Sequence, residues 1–197
     1  MKRVVFGSEK YLTPSWDEMG SLCFALAQKI LKSKQNYDRL VALAKGGLTW
    51  SRTLVDYLKI PKISTFQIKF YKGLGKTKNR PIIVQSLPAT IEGEKILVFD
   101  DVADSGETLK TAKEYLKMCG AKSVCSATLF IKSWVKTKPD FYAGKTDAWI
   151  IFPHEIREII ELLSLKWSKK GISKKEIKSR LSKLNLPQNQ VEYFIIL

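Results

Sequence analysis

The stretch ILVFDDVADSGETL, residues 96–109, runs four apolar residues into two adjacent aspartates, Asp100 and Asp101, with a third, Asp104, close behind. A short apolar run bounded by turn residues reads as a buried strand. Ser105, Gly106 and Thr108 suit a turn into a helix over residues 105–118, which Gly120 stops. Backbone N–H groups at such a helix start, aided by the two hydroxyls, form a cradle for a phosphate, and Gly106 lets the backbone come close. Asp100 and Asp101, just upstream, can accept hydrogen bonds from two sugar hydroxyls. Phosphate donors and sugar acceptors a few residues apart describe a ribose 5-phosphate site.

Working outward, RLVALA (39–44), KISTFQIKF (62–70), EKILVFD (94–100), SVCSATLFI (123–131) and DAWIIF (147–152) read as strands. SWDEMGSLCFALAQKIL (15–31) reads as a helix opened by a Ser15–Glu18 capping box, and LTWSRTLVDYLK (48–59) as another. YKGLGKTKNRP (71–81), rich in glycine and lysine, reads as a mobile loop. Strands alternating with helices predict an α/β fold, a mostly parallel sheet flanked by helices, with ligands collecting at the carboxyl ends of the strands. From residue 153 the pattern is helical throughout: HEIREIIELLSLKW (154–167), SKKEIKSRLSKL (173–184, with a Ser173–Glu176 capping box) and PQNQVEYFIIL (187–197). Ile172, Ile177, Leu181, Leu184, Val191, Phe194 and Ile195 give these short helices one apolar stripe each. The expected division is a core over 1–152 and a small C-terminal helical bundle over 153–197.

With 197 residues and 45% hydrophobic content, the chain can bury a sizeable core. No apolar run approaches the ~20 residues of a membrane span, and the N-terminus reads as no signal peptide. Cys23, Cys119 and Cys125 form an odd set without CxxC spacing, as expected of reduced thiols in a cytoplasmic protein. One histidine and scattered cysteines argue against a protein-ligated zinc. The net charge of +15 fits nucleic acid or a polyanionic small substrate equally well. Residues 164–197 hold eight Lys/Arg against two Glu, and no acidic residue stands between Asp56 and Glu92.

The 96–109 segment resembles the signature of type I phosphoribosyltransferases, in which an apolar strand leads to two acids, two spacers, Asp, Ser/Thr, Gly and Thr. LVALAKGGL (40–48) is similar to the family's pyrophosphate loop, and the resemblance covers roughly residues 10–155. It implies a phosphoribosyltransferase core that transfers ribose 5-phosphate from 5-phosphoribosyl 1-diphosphate (PRPP) to a nitrogen base. Pyrophosphate and a nucleoside monophosphate are then the products. By this resemblance Asp100, Asp101, Asp104, Ser105, Gly106, Glu107 and Thr108 hold PRPP and its 5′-phosphate. Lys45, Gly46 and Gly47 hold the diphosphate, around a cis peptide expected at Lys45–Gly46. Mg²⁺ sits mainly on the substrate, with help from Asp100 and Asp101. Asp104 is the catalytic contact to the base's imidazole nitrogen, as proton acceptor. Tyr71 and Lys72 fall in the loop that closes over the reaction, although Phe70-Tyr71 stands where 6-oxopurine relatives carry Ser-Tyr. The family's usual assembly implies a homodimer.

The base segments resemble those of purine-using members. Lys132, in LFIKSW (129–134), matches a lysine that reaches the substituent at purine C6. Trp149, in DAWIIFPHE (147–155), matches a stacking ring, and Ile150 a backbone contact to the purine edge. Lys132 favours a carbonyl at C6, hence hypoxanthine, guanine or xanthine. His154, where many 6-oxopurine relatives have Trp, and the helical extension shared with certain archaeal members tilt the expectation toward adenine. His154 is as well read as a structural residue as a base contact. The rival class is a PRPP- or purine-sensing regulator of nucleic acid on the same fold, which the basic tail favours slightly. Retention of the full motif set favours the enzyme and makes nucleic acid the lesser partner.

Overall fold

The computed structural model describes residues 1–71 and 80–195. Two compact units form, one from Gly20–Thr146 and the other from Met1–Met19 with the chain from Asp147 onward.

In the Gly20–Thr146 unit a six-stranded sheet has the order β5-β4-β3-β6-β7-β8. Its strands are β3 (Arg39–Ala44), β4 (Lys62–Tyr71), β5 (Arg80–Gln85), β6 (Lys95–Ala103), β7 (Ser123–Lys132) and β8 (Phe141–Thr146). All neighbours are parallel except the β4–β5 pair at the edge. Helices α1 (Trp16–Lys32), α2 (Leu48–Leu58) and α3 (Glu107–Met118) alternate with the strands. Ile96, Leu97, Val98 and Phe99 are buried one after another along β6, as a strand covered on both faces requires. Val41, Phe66, Ile96 and Val98 pack in one core with Leu109, Ala112 and Leu116, which recur along α3 at helical spacing.

Three features depart from the expected elements. β6 runs on to Ala103, three residues past the expected end at Asp100, so Asp101 also lies in the strand, which pairs along β7 through Asp100 and Thr128. β5 forms over a segment assigned in part to a loop; Pro81 lies in it, and the edge of a sheet is where a strand tolerates a residue that cannot donate. β8 lies outside the expected strands, because Phe141 and Tyr142 are followed by Ala143, Gly144 and Lys145, which show no alternation.

In the other unit, β1 (Lys2–Phe6) and β2 (Glu9–Thr13) form a hairpin, and β9 (Trp149–Ile150) pairs parallel to β2. Helices α4 (Ile156–Ser168), α5 (Lys174–Lys183) and α6 (Gln188–Phe194) follow. The first expected capping box is complete, Ser15 and Glu18 exchanging bonds at 2.9 and 3.2 Å; of the second, Ser173 Oγ accepts from the Glu176 N–H while the Glu176 carboxylate takes Arg180. All seven apolar positions of the tail enter one core with Tyr11, Ile151, Ile160, Leu163 and Trp167. Tyr11 is part of that core because Phe6 and Tyr11 meet Trp167 ring to ring, at 5.5 and 6.3 Å between centroids. The expected division at 152/153 therefore differs from the structural one, which adds the N-terminal hairpin and DAWIIF to the helices. Only Trp149 and Ile150 of DAWIIF are strand. Among the described residues no helix is long and apolar enough to cross a membrane.

At the N-terminal ends of the parallel strands, Arg39 grips Glu94 through Nε and Nη2 at 2.7 and 3.1 Å, and Lys62 adds a contact at 2.7 Å. The Arg39 guanidinium, with Lys62 second, holds the Glu94 carboxyl down to about 2. A carboxyl whose pKa falls on folding stabilises the native state fully above its unfolded value near 4.5, and that contribution is lost as pH falls toward 2. Glu94→Gln is expected to lower the thermal midpoint at neutral pH and to flatten its fall between those two pH values. Identical acid slopes for the two proteins, in midpoints recorded across that window, would contradict this.

Candidate functional site

Parallel pairing of β3 with β6, in register from Arg39–Ile96 to Ala42–Phe99, brings the loops that follow them to the same edge of the sheet. The first is the turn Lys45–Gly47, entered through a cis peptide between Ala44 and Lys45, one bond earlier than expected. The Gly47 N–H donates to the Leu43 carbonyl at 2.9 Å and the Leu48 N–H to that of Lys45 at 3.0 Å. Gly47 thus contributes by its shape rather than as a free donor. A Cβ at Gly46 would lie 2.6 to 2.7 Å from the Asp101 carboxylate. One at Gly47 would lie 2.5 Å from the Phe99 carbonyl oxygen and 2.9 Å from that of Leu43. Glycine is required at Gly47, where the close atoms are backbone, while a side chain at Gly46 would have to displace the Asp101 carboxylate.

The second loop is Asp104–Thr108, leading into α3. Asp101 is 6% exposed, whereas Asp104 is exposed to solvent. The Asp101 N–H donates to Asp100 Oδ1 at 3.0 Å, which orients that carboxylate along the strand. The Glu107 N–H donates to Ser105 Oγ at 3.3 Å, and Gly106 takes a left-handed φ of 88° as the helix opens. A cavity of about 390 Å³ lies over this turn, lined by Phe70 and Val102 to Leu109. Its floor is the N-terminus of a twelve-residue helix, where aligned N–H dipoles favour an anion. Glu107 can serve an anion there only through its backbone, since its carboxylate is a like charge.

Lys132 ends β7 and is 8% exposed, with its ammonium 5.6 Å from the centre of the Trp134 ring. Trp134 was not among the expected site residues, yet its indole N–H donates to Asp104 Oδ1 at 2.6 Å. The signal available in the sequence was a tryptophan two residues after Lys132, in a loop otherwise polar.

The base-segment residues belong to the other unit. Trp149 stacks on Tyr11 at 6.3 Å and 21°, with Lys166 over its ring at 5.3 Å, and stays 40% exposed. Ile150 is buried. His154 stacks on Phe152 at 5.3 Å, and burial pushes its imidazole below the ordinary range, toward the neutral form. Of the expected loop residues, Lys72 and the side chain of Tyr71 lie outside the described residues.

The family model described as phosphoribosyl transferase domain matches residues 15–158. A xanthine-guanine phosphoribosyltransferase of Gluconobacter oxydans is 29% identical over 73% of this chain and 83% of its own length. The crystal structure of a purine phosphoribosyltransferase from Pyrococcus horikoshii superposes with a TM-score of 0.65, at 31% identity, over 73% of this chain and 92% of that one. A transcriptional regulator of Methanococcoides burtonii is 25% identical over 66% of this chain and 68% of the regulator.

The two glycines are expected to fail differently. Gly46→Ala displaces the Asp101 carboxylate and should weaken PRPP binding about ten- to a hundredfold, the range of one charge-assisted hydrogen bond, with little change in thermal midpoint. Gly47→Ala meets backbone oxygens that cannot swing aside, so its midpoint should fall by several degrees. Calorimetric titration with PRPP beside thermal melts checks both, and a Gly46→Ala protein with wild-type PRPP affinity would refute the packing argument.

Proposed function

As this chain belongs to the type I phosphoribosyltransferase family, in its purine-using branch, we propose that it makes purine nucleoside 5′-monophosphates from PRPP and a 6-oxopurine. A bond forms between the purine nitrogen and ribose C1 as the bond from C1 to the diphosphate oxygen breaks. The observation that carries the reading is the meeting of the Lys45–Gly47 turn with Asp100, Asp101 and the Asp104–Thr108 loop at the carboxyl ends of adjacent strands.

Each part of the substrate has a proposed holder. Ser105, Gly106, Glu107 and Thr108 take the 5′-phosphate at the start of α3, the Glu107 N–H exchanging its 3.3 Å bond to Ser105 Oγ for one to the phosphate. Asp100 and Asp101 accept the ribose hydroxyls, and the Asp101 carboxylate occupies the space that a side chain at Gly46 would fill. Lys45 and the Gly46 backbone take the diphosphate, which carries away the negative charge as C1 becomes cationic. Asp100 and Asp101 offer the hard carboxylate oxygens that Mg²⁺ takes, and bound there it would neutralise diphosphate charge. Asp104 accepts the proton of the imidazole nitrogen. Trp149 as a stacking ring and Ile150 as an edge contact rest on the resemblance alone. A homodimer is proposed on the same ground, and light scattering would test it.

For the base, an ammonium is a donor only and suits an oxygen at C6 rather than an amino group. The buried Lys132 and the names of the xanthine-guanine relatives support the 6-oxopurine, and the tilt toward adenine finds no support among them. A second reading, a purine-sensing regulator of nucleic acid, draws on the regulator match and the exposed lysines of α5.

The test is pyrophosphate release from PRPP with hypoxanthine, guanine, xanthine and adenine in turn, for the wild type and Lys132→Ala. Release with a 6-oxopurine is expected, abolished by chelating Mg²⁺ and cut at least tenfold in the variant. A preference for adenine that survives Lys132→Ala would refute the base assignment. No release with any purine, alongside nucleic-acid binding that weakens steeply with salt, would favour the regulator.

A further inference from the structure

We propose that Trp134 is a positioning residue that sets the spacing between Asp104 and Lys132, and so selects a purine edge with an oxygen at C6 beside an N–H at the imidazole nitrogen. The proposal rests on the purine reading above and names a specificity determinant for it.

Trp134 touches both candidate base contacts with different parts of one rigid ring system. Its N–H binds Asp104 Oδ1 at 2.6 Å, and its face lies 5.6 Å below the Lys132 ammonium. C6 and the neighbouring imidazole nitrogen share one edge of a purine. Reading both needs an acceptor and a donor at a fixed separation. An aspartate exposed on a loop does not hold its side of such a spacing by itself. An indole does, since it is planar and contacts each group without competing for the ligand. Its nitrogen is a donor only, so it can orient the carboxylate but cannot take the proton meant for it. Among the described residues, Asp104 Oδ2 accepts no side-chain bond, which leaves it for the base.

The backbone around Trp134 is tied to the phosphate loop as well. The Lys136 and Thr137 N–H groups both donate to the Ser105 carbonyl, at 3.1 and 3.2 Å. A Cβ at Gly106 would collide with the Thr137 carbonyl. The Val135 N–H closes onto the Lys132 carbonyl at 3.1 Å, and the Ser133 N–H onto Thr146 at 3.0 Å. The 133–137 loop is thereby pinned at both ends, one at β7 and β8 and the other at the start of α3. Trp134 is 54% exposed, so burial of apolar surface does not explain its placement as well as these two contacts do.

The test separates the N–H from the ring. Trp134→Phe keeps a face for Lys132 and removes the donor, while Trp134→Leu removes both. For Trp134→Phe, kcat/KM for the 6-oxopurine should fall about ten- to a hundredfold with the KM for PRPP unchanged. Trp134→Leu should in addition narrow the ratio of hypoxanthine to adenine use. An activity-independent reading comes from the indole N–H resonances of the five tryptophans, where the peak missing in Trp134→Phe identifies Trp134. That peak should shift in Asp104→Asn and again when inosine monophosphate is added to the wild type. An unmoved peak in Asp104→Asn, or Trp134→Phe kinetics equal to wild type, would overturn the proposal. If no purine supports pyrophosphate release, the functional reading fails by itself, and the Asp104→Asn spectrum still decides whether the indole holds the carboxylate.

Discussion

The closeness of a three-residue turn to one strand governs the rest of the structure. No Cβ fits between Gly46 and the Asp101 carboxylate, or between Gly47 and the Phe99 carbonyl. That contact depends on β3 and β6 being adjacent and parallel, for only then do two loops that follow different strands open at one edge. The buried run Ile96 to Phe99 fixes the register from below, and the Arg39–Glu94–Lys62 cluster ties the same strands at their opposite ends. One end of the sheet is thus tied by ion pairs, and the other carries the glycine turn and the acids of the proposed site. A small slip in register would separate the acids from the turn.

Charge arranges the second layer. The chain carries +15 overall, yet three carboxylates stand at the ligand edge. The contrast is chemically consistent. A substrate with phosphates at both ends is drawn by the general field and by helix dipoles, while the sugar between them needs acceptors. In the proposed function Lys132 and Asp104 divide the work on the base in the same way, one as donor and the other as acceptor.

Much of this was legible in the sequence because the elements concerned declare themselves locally. β6 is a run of apolar residues, α3 opens at a Ser-Gly turn, and the tail helices carry capping boxes and single stripes. What escaped depends on partners far away in the chain. The β1–β2 hairpin is strongly basic and finds its third strand at Trp149, some 140 residues on, so its own alternation says little. β5 is disguised by Pro81, and β8 by small and polar residues. In the site, the motif residues were readable because chemistry restricts them to few types. Trp134 was not, because an indole serving as donor to a remote carboxylate leaves no pattern in spacing. The same limit applies to Gly47, since nothing in the sequence reveals that its amide is bonded to the Leu43 carbonyl.

The central claim is that two strand ends form one cradle for a single phosphoribosyl diphosphate, and a crystal structure of the protein with PRPP and Mg²⁺ addresses it directly. Density is expected for the 5′-phosphate against Ser105 to Thr108, for the ribose hydroxyls against Asp100 and Asp101, and for the diphosphate over Lys45 and Gly46. PRPP ordered elsewhere on the protein, with the Lys45–Gly47 turn and the Asp104–Thr108 loop both empty, would contradict it.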